Sequence, residues 1–596
     1  MRLITSTHTA QSRPALAPTR RFGWLPAGLL VLLPVLVFFG VWQYYAVNVP
    51  KWDDHALRGF LHNLSLESTF SGKIYQFFQQ HNEHRIVFDR VVTYLDYRVF
   101  GTLSYTHLML VGNLSLVGLL ILFGQMLRRS GSALWDQSLW YAAPVAFLLF
   151  NLSHWENMFW GMAALQNFTV VLWVLWSLYL LAYTNRLYAA ILLATLATLT
   201  SGNGLTVWPI GLVLLLHQHF FPKTSPRPVP RKSLWLWLLG GVVVMGLYFV
   251  GYQKPDGNPP ARGPVTDFLK GFLAFTGSVA EAIPFRSAFQ NSLLLGAVMT
   301  LLTVGLLVLI ALKQLRRERL TAADYFFAGS SAFLLGTAIV VAWSRVGFGL
   351  DLLITSRYKL YSCTLLALLY AYVCLNVNRS VRPFVGLAGL LGGAALAWLS
   401  YLSFLDETIG LRHWLLTNQQ FNWTYTTNRP VARVDSVTAR YTKPAPAFYD
   451  TLLPTIFGPA WIGPARPGLA WTGPAETTKS IVTITKTATG FQIDNESAEP
   501  LSLRDKATFI VARSAQRTHL FPVRQQQHTA WQARFWPGWL FKNGFRTTIF
   551  ATDLDAGTYQ LLLLTVSGEP GKTVLVDTRQ TITLAKKADP TFKQNW

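Results

Sequence analysis

Residues 24–55, WLPAGLLVLLPVLVFFGVWQYYAVNVPKWDDH, decide how this chain is read. The run 24–46 is apolar for longer than the roughly 17 residues a helix needs to cross a bilayer. The polar stretch Lys51-Trp52-Asp53-Asp54-His55 follows at once, and Arg13, Arg20 and Arg21 precede. A cleaved signal peptide has an apolar core of about 7–15 residues and a small-x-small exit, whereas this run leaves through Tyr44-Tyr45. It reads as an uncleaved anchor. The acidic pair then stands where a membrane helix meets water. There it could meet a substrate whose reacting group sits at the bilayer surface while its tail stays in lipid.

Composition points the same way. Of 596 residues, 51% are hydrophobic and only 13% charged, against about 25% charged in soluble globular proteins. The chain therefore reads as an integral membrane protein. A formal net charge of +23 would suit a nucleic-acid binder. The cations, however, fall in short clusters between apolar runs, as in cytoplasmic membrane loops, so no nucleic-acid partner is expected. Cys363 and Cys374 fall in one predicted helix. At about 1.5 Å rise per residue they stand about 16 Å apart, beyond the roughly 7 Å Cα separation a disulfide tolerates. They read as small packing residues.

Further spans are expected near 104–127, 136–152, 162–184, 187–201, 204–221, 233–252, 289–312, 322–343, 358–376 and 383–404, giving about eleven. With a cytoplasmic amino terminus, every second loop should carry the Lys/Arg excess. Those loops hold Arg128-Arg129, Arg186, Lys223 through Lys232, Lys313 to Arg319, and Arg379 with Arg382. The alternation puts the tail 1–23 inside and the carboxyl terminus outside, across the cytoplasmic membrane. The pair 187–201 and 204–221, joined by glycines, is short enough to be re-entrant.

The first outer loop, 47–103, has Leu57, Phe60, Leu61 and Leu64 at helical spacing. Ile86, Val87, Arg90, Val91 and Tyr94 repeat the spacing after the polar knot Gln79 to Arg85. Two interfacial helices are expected there, apolar side toward lipid. Residues 405–477 read as an irregular outer connector. Alternating runs such as Ser480 to Thr485 and Thr558 to Leu564 make 478–596 an outer β-sandwich. There is no internal repeat or heptad run. The fold class is thus a polytopic α-helical membrane protein with a carboxyl-terminal β-sandwich domain.

The candidate chemistry lies on the outer side. For Asp53 and Asp54, one reading is a helix N-cap followed by a solvated charge; the other is a general base or metal ligand, with Glu83 and Glu156 on the same face. Arg85, Arg345, Arg357 and Lys359 are outer cations near span ends, where orientation does not require them. A guanidinium fork or an ammonium there suits phosphate, and pairing with Asp351, Glu83 or lipid headgroups is the alternative. His84, Asn157 and Tyr358 are candidates to contact substrate. Glycines 386, 389, 392 and 393 read as a helix-packing face.

An acidic pair just outside the first span, a first outer loop of interfacial helices, about eleven spans and an outer carboxyl-terminal domain resemble the GT-C glycosyltransferases. That group includes the protein O-mannosyltransferases and the lipid A aminoarabinose transferases. The elements Gln80-His81-Asn82-Glu83-His84-Arg85 and Ser356-Arg357-Tyr358 look like those of bacterial membrane proteins grouped with that fold. The resemblance covers residues 20–404. It implies an enzyme that moves a sugar from a polyprenyl-phosphate donor to a glycan, lipid or protein acceptor at the membrane, with a first-loop acidic residue essential; Asp53 or Asp54 maps onto it. Asp54 or Asp53 would be the base and Arg357, Arg345 and Lys359, with Arg85, the phosphate site. Glu83 or Glu156 would orient the sugar or join a divalent cation such as Mg or Mn. A polymerase or ligase using a lipid diphosphate-linked glycan is the rival enzyme. A transporter would need ionisable residues near mid-bilayer, whereas these charges cluster at span ends.

Overall fold

The computed structural model of the chain describes residues 24–129, 135–254, 264–422, 482–498, 504, 506–515, 518–528, 540–566 and 573–585. The tail 1–23 and most of the expected connector lie outside them. Each apolar stretch expected to span is helical. The described residues begin with α1 (Trp24–Tyr45), followed by α2 (Asp54–Leu66), α3 (Phe70–Phe78), α4 (Val87–Phe100), α5 (Tyr105–Arg129) and α6 (Trp135–Leu149). The short turns α7 (Trp155–Met158) and α8 (Gly161–Ala163) lead through a π-turn at Ala164–Phe168 into α9 (Thr169–Tyr183). Then come α10 (Leu187–Thr198), α11 (Val207–Phe220), α12 (Arg231–Phe249), α13 (Val265–Thr276), α14 (Ala288–Leu315), α15 (Ala322–Arg345), α16 (Lys359–Asn376) and α17 (Arg382–Trp414). Among the described residues, eight helices are long and apolar enough to cross a membrane. The others expected to span, α6, α10 and α11, have 15, 12 and 14 residues.

Burial sorts these helices. α9 is apolar all round and nearly every residue is buried, so it forms the centre of the bundle. By contrast α1, α12 and α14 expose Leu36, Val242 and Leu301, as helices facing lipid do. Close approach is purchased with glycine where α13 meets α14: a Cβ on Gly277 would stand 2.2 Å from the Gly296 nitrogen. Gly386 and Gly389 likewise make room for the Tyr141 and Tyr370 rings. Cys363 and Cys374 are buried and free.

The loops sort to two ends. At one, the segment after α1 meets α7 through Lys51 and Glu156, His84 meets Gly202, and Gln80 meets Gln253. At the other, Arg129 donates to the Tyr183 carbonyl, Arg227 to Asn185, and the Leu320 amide to the Thr224 carbonyl. The basic loops therefore gather opposite the acidic pair.

Between α1 and α5 stand three helices rather than two. The apolar side of α2, expected toward lipid, instead packs Leu57, Phe60 and Leu61 against Tyr105, Leu108, Met109 and Leu165. The cause is position: the start of α5 lies under α2, while α3 and α4 keep part of their surface turned outward. Those two expose Phe70, Tyr75, Leu95 and Val99.

The expected irregular connector is also corrected over 405–422. α17 runs to Trp414 and continues as a π-turn, Leu415–Phe421. Leu416 enters the apolar cluster formed by Phe509, Leu520, Leu562 and Leu564. Asn422 then pairs with both backbone groups of Leu520, at 2.7 and 2.8 Å.

The carboxyl-terminal region comprises two antiparallel four-stranded sheets. Their strands are β1 (Thr483–Lys486), β2 (Gly490–Asn495), β3 (Ala507–Arg513), β4 (Thr518–Pro522), β5 (Arg524–Gln527), β6 (Phe541–Phe550), β7 (Gly557–Val566) and β8 (Thr573–Leu584). The orders are β1-β2-β6-β5 and β4-β3-β7-β8. Phe491, Ile493 and Ile549 of the first sheet pack with Ile510, Leu561 and Leu563 of the second. The opposite face of the second sheet meets the helix end at Leu416. Cover on both faces explains why β3, and Leu561–Leu564 of β7, where alternation was expected, run continuously apolar.

Candidate functional site

The chain leaves α1 and turns at Lys51-Trp52-Asp53-Asp54, with the Asp54 amide donating to the Lys51 carbonyl at 2.9 Å. Trp52 sits at φ 44°, a region that bulky residues rarely enter, so the turn carries backbone strain at this residue. Asp54 is fully buried. Its Oδ2 accepts from the Lys51 amide at 3.0 Å and its Oδ1 from the Met162 amide at 2.7 Å. Gly161 makes this approach feasible, since a Cβ there would stand 3.2 Å from Oδ1. Asp54, one of the two residues expected as base, is held as a clamp joining the first loop to α8.

Burial pushes the Asp54 carboxyl up to about 7, against the lowering effect of its two amide donors. The unfolded group titrates near 3.8. Between these values the folded chain binds a proton that the unfolded chain lacks, so this contribution to stability falls as pH rises from about 4 to about 7. Asn does not titrate. The melting-temperature advantage of wild type over Asp54→Asn in detergent should therefore shrink across that window; a constant gap would show that Asp54 does not change protonation on unfolding.

Asp53 is different. It occupies the N-cap of α2, yet its side chain makes no capping hydrogen bond. The side chain is 30% exposed and lies 3.8 Å from His81 Nε2. His81 belongs to a tight turn in which it exchanges backbone hydrogen bonds with His84, at 2.8 and 2.9 Å. Asn82 takes the positive φ the turn requires. Burial pulls both imidazoles below their usual range, outweighing the pull of Asp53 and Glu83, so both are neutral near pH 7.

The rest of the knot is structural in geometry. His84 Nδ1 accepts from the Gly202 amide at 3.1 Å. Arg85 donates to the carbonyls of Phe78, Tyr248 and Val250. Expected in a phosphate site, Arg85 thus has its fork occupied by backbone. A buried carbonyl left without its donor costs about 1–3 kcal/mol, so Arg85→Ala should lower the melting temperature markedly. An unchanged melt would show that these carbonyl contacts do not hold the fold. Glu83 pairs with Arg345. Burial raises the Glu83 carboxyl, but His84 and Arg345 outweigh it and hold it below its ordinary range.

Glu156 is the second node. Its carboxylate lies 3.1 Å from Lys51 Nζ and 3.5 Å from Arg357 Nε. Burial acts to raise it, and these two cations bring it below the usual range. The backbone is locked as well: the Glu156 amide donates to Ser356 Oγ, which donates to the Ser153 carbonyl. Asn157 donates to the Arg357 carbonyl at 3.1 Å and accepts from Asn167 at 2.9 Å, and Asn167 lies in the π-turn. Lys51 rests between the Trp52 and Trp160 rings, at 4.4 and 4.5 Å from their centroids. Arg357 lies over Trp160 at 5.8 Å. Its side chain is 32% exposed, and Nε makes no hydrogen bond among the described residues. Asp53 is near enough to act on it electrostatically.

The other expected residues adjoin this shelf but make their contacts elsewhere, with Lys359 still acting electrostatically on Glu156. Lys359 is buried on Glu281 at 2.6 Å, over the Phe404 ring. Tyr358 packs on Phe275. Neither Arg345 nor Arg357 pairs with Asp351 among the described contacts; their partners are Glu83 and Glu156. Among the described residues no three His, Cys, Asp or Glu side chains converge to hold a metal ion. Beside Lys51 and Glu156 opens a cavity of about 850 Å³, reaching the strands β5 and β6.

Sequence reasoning passed over His81, Lys51 and Trp160. Lys51 carried a usable signal, being a cation on the expected outer side. Trp160 carried none, because only the tertiary turn brings its ring beneath Lys51 and Arg357. No protein-family model, curated protein or solved structure matches this chain.

Proposed function

We propose that this chain is a membrane glycosyltransferase of the GT-C type, moving a hexosyl or pentosyl group from a polyprenyl-phosphate donor on the outer face of the cytoplasmic membrane. The observation that carries the reading is Asp53. It is a partly exposed carboxylate at the lip of the first membrane helix, free of the capping bond its position would give it, beside neutral His81 and within the field of Arg357.

In this reading Asp53 takes the proton of the acceptor hydroxyl as that oxygen bonds to the anomeric carbon. The bond from that carbon to the phosphate oxygen breaks, and polyprenyl phosphate departs with the electron pair. Arg357, supported by Glu156 and Trp160, stabilises the departing charge, with Arg345 as a second cation. The leaving group is a phosphate monoester anion and requires no proton near neutral pH.

The accompanying topology is eleven crossings, α6, α10 and α11 included, with the amino terminus inside and the two sheets outside as a β-sandwich. Its support is the gathering of the basic loops at the end opposite Asp53. A reporter fused after residue 317 should behave as cytoplasmic and one after residue 422 as exported. The reverse pattern would put Asp53 inside and end the outer-face mechanism. The activity itself is tested by incubating the purified protein with a panel of labelled polyprenyl-phosphate hexoses and pentoses. Transfer from at least one is expected; consumption of only diphosphate-linked glycans would favour a polymerase or ligase.

A further inference from the structure

The cavity beside Lys51 and Glu156 has two unlike walls. The membrane domain contributes the half-buried indoles of Trp52, Trp155 and Trp414, and the first sheet contributes the amides of Gln525, Gln526 and Gln527. Trp52 and Trp414 meet edge to face at 5.9 Å, so their rings are fixed rather than loose. At about 850 Å³ the space lies toward the upper end of the roughly 300–1,000 Å³ of small-molecule sites.

Most charges around it are paired, and Lys542, exposed at the rim, has no ion pair among the described residues. Lys51 pairs with Glu156 at 3.1 Å, and Arg524 with Glu407 at 2.8 Å and Asp406 at 3.6 Å. Arg546 pairs with Asp494 at 2.5 Å. An interior with rigid aromatic faces, amide donors and acceptors, and mutually neutralised charge suits a ligand that is uncharged, rich in hydroxyls and carries apolar C–H faces. A polyanion would have to break these pairs. A lone monosaccharide would leave much of the space unfilled.

The geometry points to this cavity as the acceptor site, built for a short neutral oligosaccharide that stacks on Trp414 and Trp52, hydrogen-bonds to Gln525–Gln527, and presents its terminal hydroxyl toward Asp53. The inference deepens the transferase reading and rests on it for the identification of the ligand as acceptor. It also gives the two sheets a role: they form half of the acceptor wall, held to the membrane domain by the Arg524 pairs and by Asn422.

The test uses the full chain in detergent and an array of immobilised neutral and anionic oligosaccharides and peptides. Wild type should bind one neutral glycan series. Trp414→Ala should weaken that binding about 30-fold, the cost typical of truncating a central aromatic anchor. Because Trp414 also braces Trp52, a second variant guards against misfolding: Thr548→Trp fills the cavity from a half-exposed strand position and should abolish binding with an unchanged melt. Binding of no neutral glycan, binding of only anionic glycans or peptides, or full binding by Thr548→Trp overturns the proposal. Glycan binding without transfer from any polyprenyl-phosphate sugar would sink the transferase and acceptor roles while leaving a glycan site. Transfer to lipid or protein without glycan binding would do the opposite.

Discussion

Asp53→Asn should remove about 10²- to 10⁴-fold of the transfer rate, the range attributed to a general base, while the protein inserts and melts as wild type does. The two halves of this expectation have separate causes. The Asp53 side chain makes no capping bond and is 30% exposed, so an amide of the same shape disturbs no packing. The amide cannot take the acceptor proton. Asp54→Asn inverts the pattern: one amide donor loses its acceptor, stability falls, and any fall in activity should track the folded fraction. Kinetics on both variants at matched folded concentration distinguish the two carboxylates. An active Asp53→Asn enzyme would remove the base from the mechanism.

Arg357→Ala has the second largest expected effect. Loss of a charge-assisted contact to the departing phosphate costs about 2–4 kcal/mol, or roughly 30- to 1000-fold in turnover. The fold should survive, because Glu156 keeps Lys51 at 3.1 Å and its own backbone anchors. Arg357→Lys should recover only part of the activity, since it keeps the charge and loses the fork. Wild-type donor binding and turnover in Arg357→Ala would leave Arg357 as the partner of Glu156 and nothing more.

Hydropathy made the helical membrane domain legible because a spanning segment must satisfy its own backbone and cover it with apolar side chains. Both features lie within one stretch of sequence. The direction in which α2 faces was not legible. Leu57, Phe60 and Leu61 mark an apolar side, but whether lipid or α5 covers it is a tertiary fact. The same limit applies to the acidic pair: neighbouring residues on a helix point about 100° apart, and only the position of Gly161 and Met162 determines that Asp54 is the buried one. Arg85 and Arg357 share a side chain type and an expected location, yet one meets three carbonyls and the other a carboxylate beside an indole. The continuation of α17 through 405–422 was obscured by the polar residues Asp406, Glu407 and Arg412. Arg412 donates to the Tyr45 carbonyl and Glu407 pairs with Arg524, so these are contact residues on a helix rather than a loop.

The central claim is that Asp53 and Arg357 act on a monophosphate-linked sugar, and the lipid product tests it most directly. Purified protein given a doubly labelled polyprenyl-phosphate sugar should release polyprenyl monophosphate in equal amount to the sugar transferred, and both products should vanish together in Asp53→Asn. A donor left intact by the folded wild-type protein across the hexose and pentose series, or products formed equally by Asp53→Asn, would contradict the account.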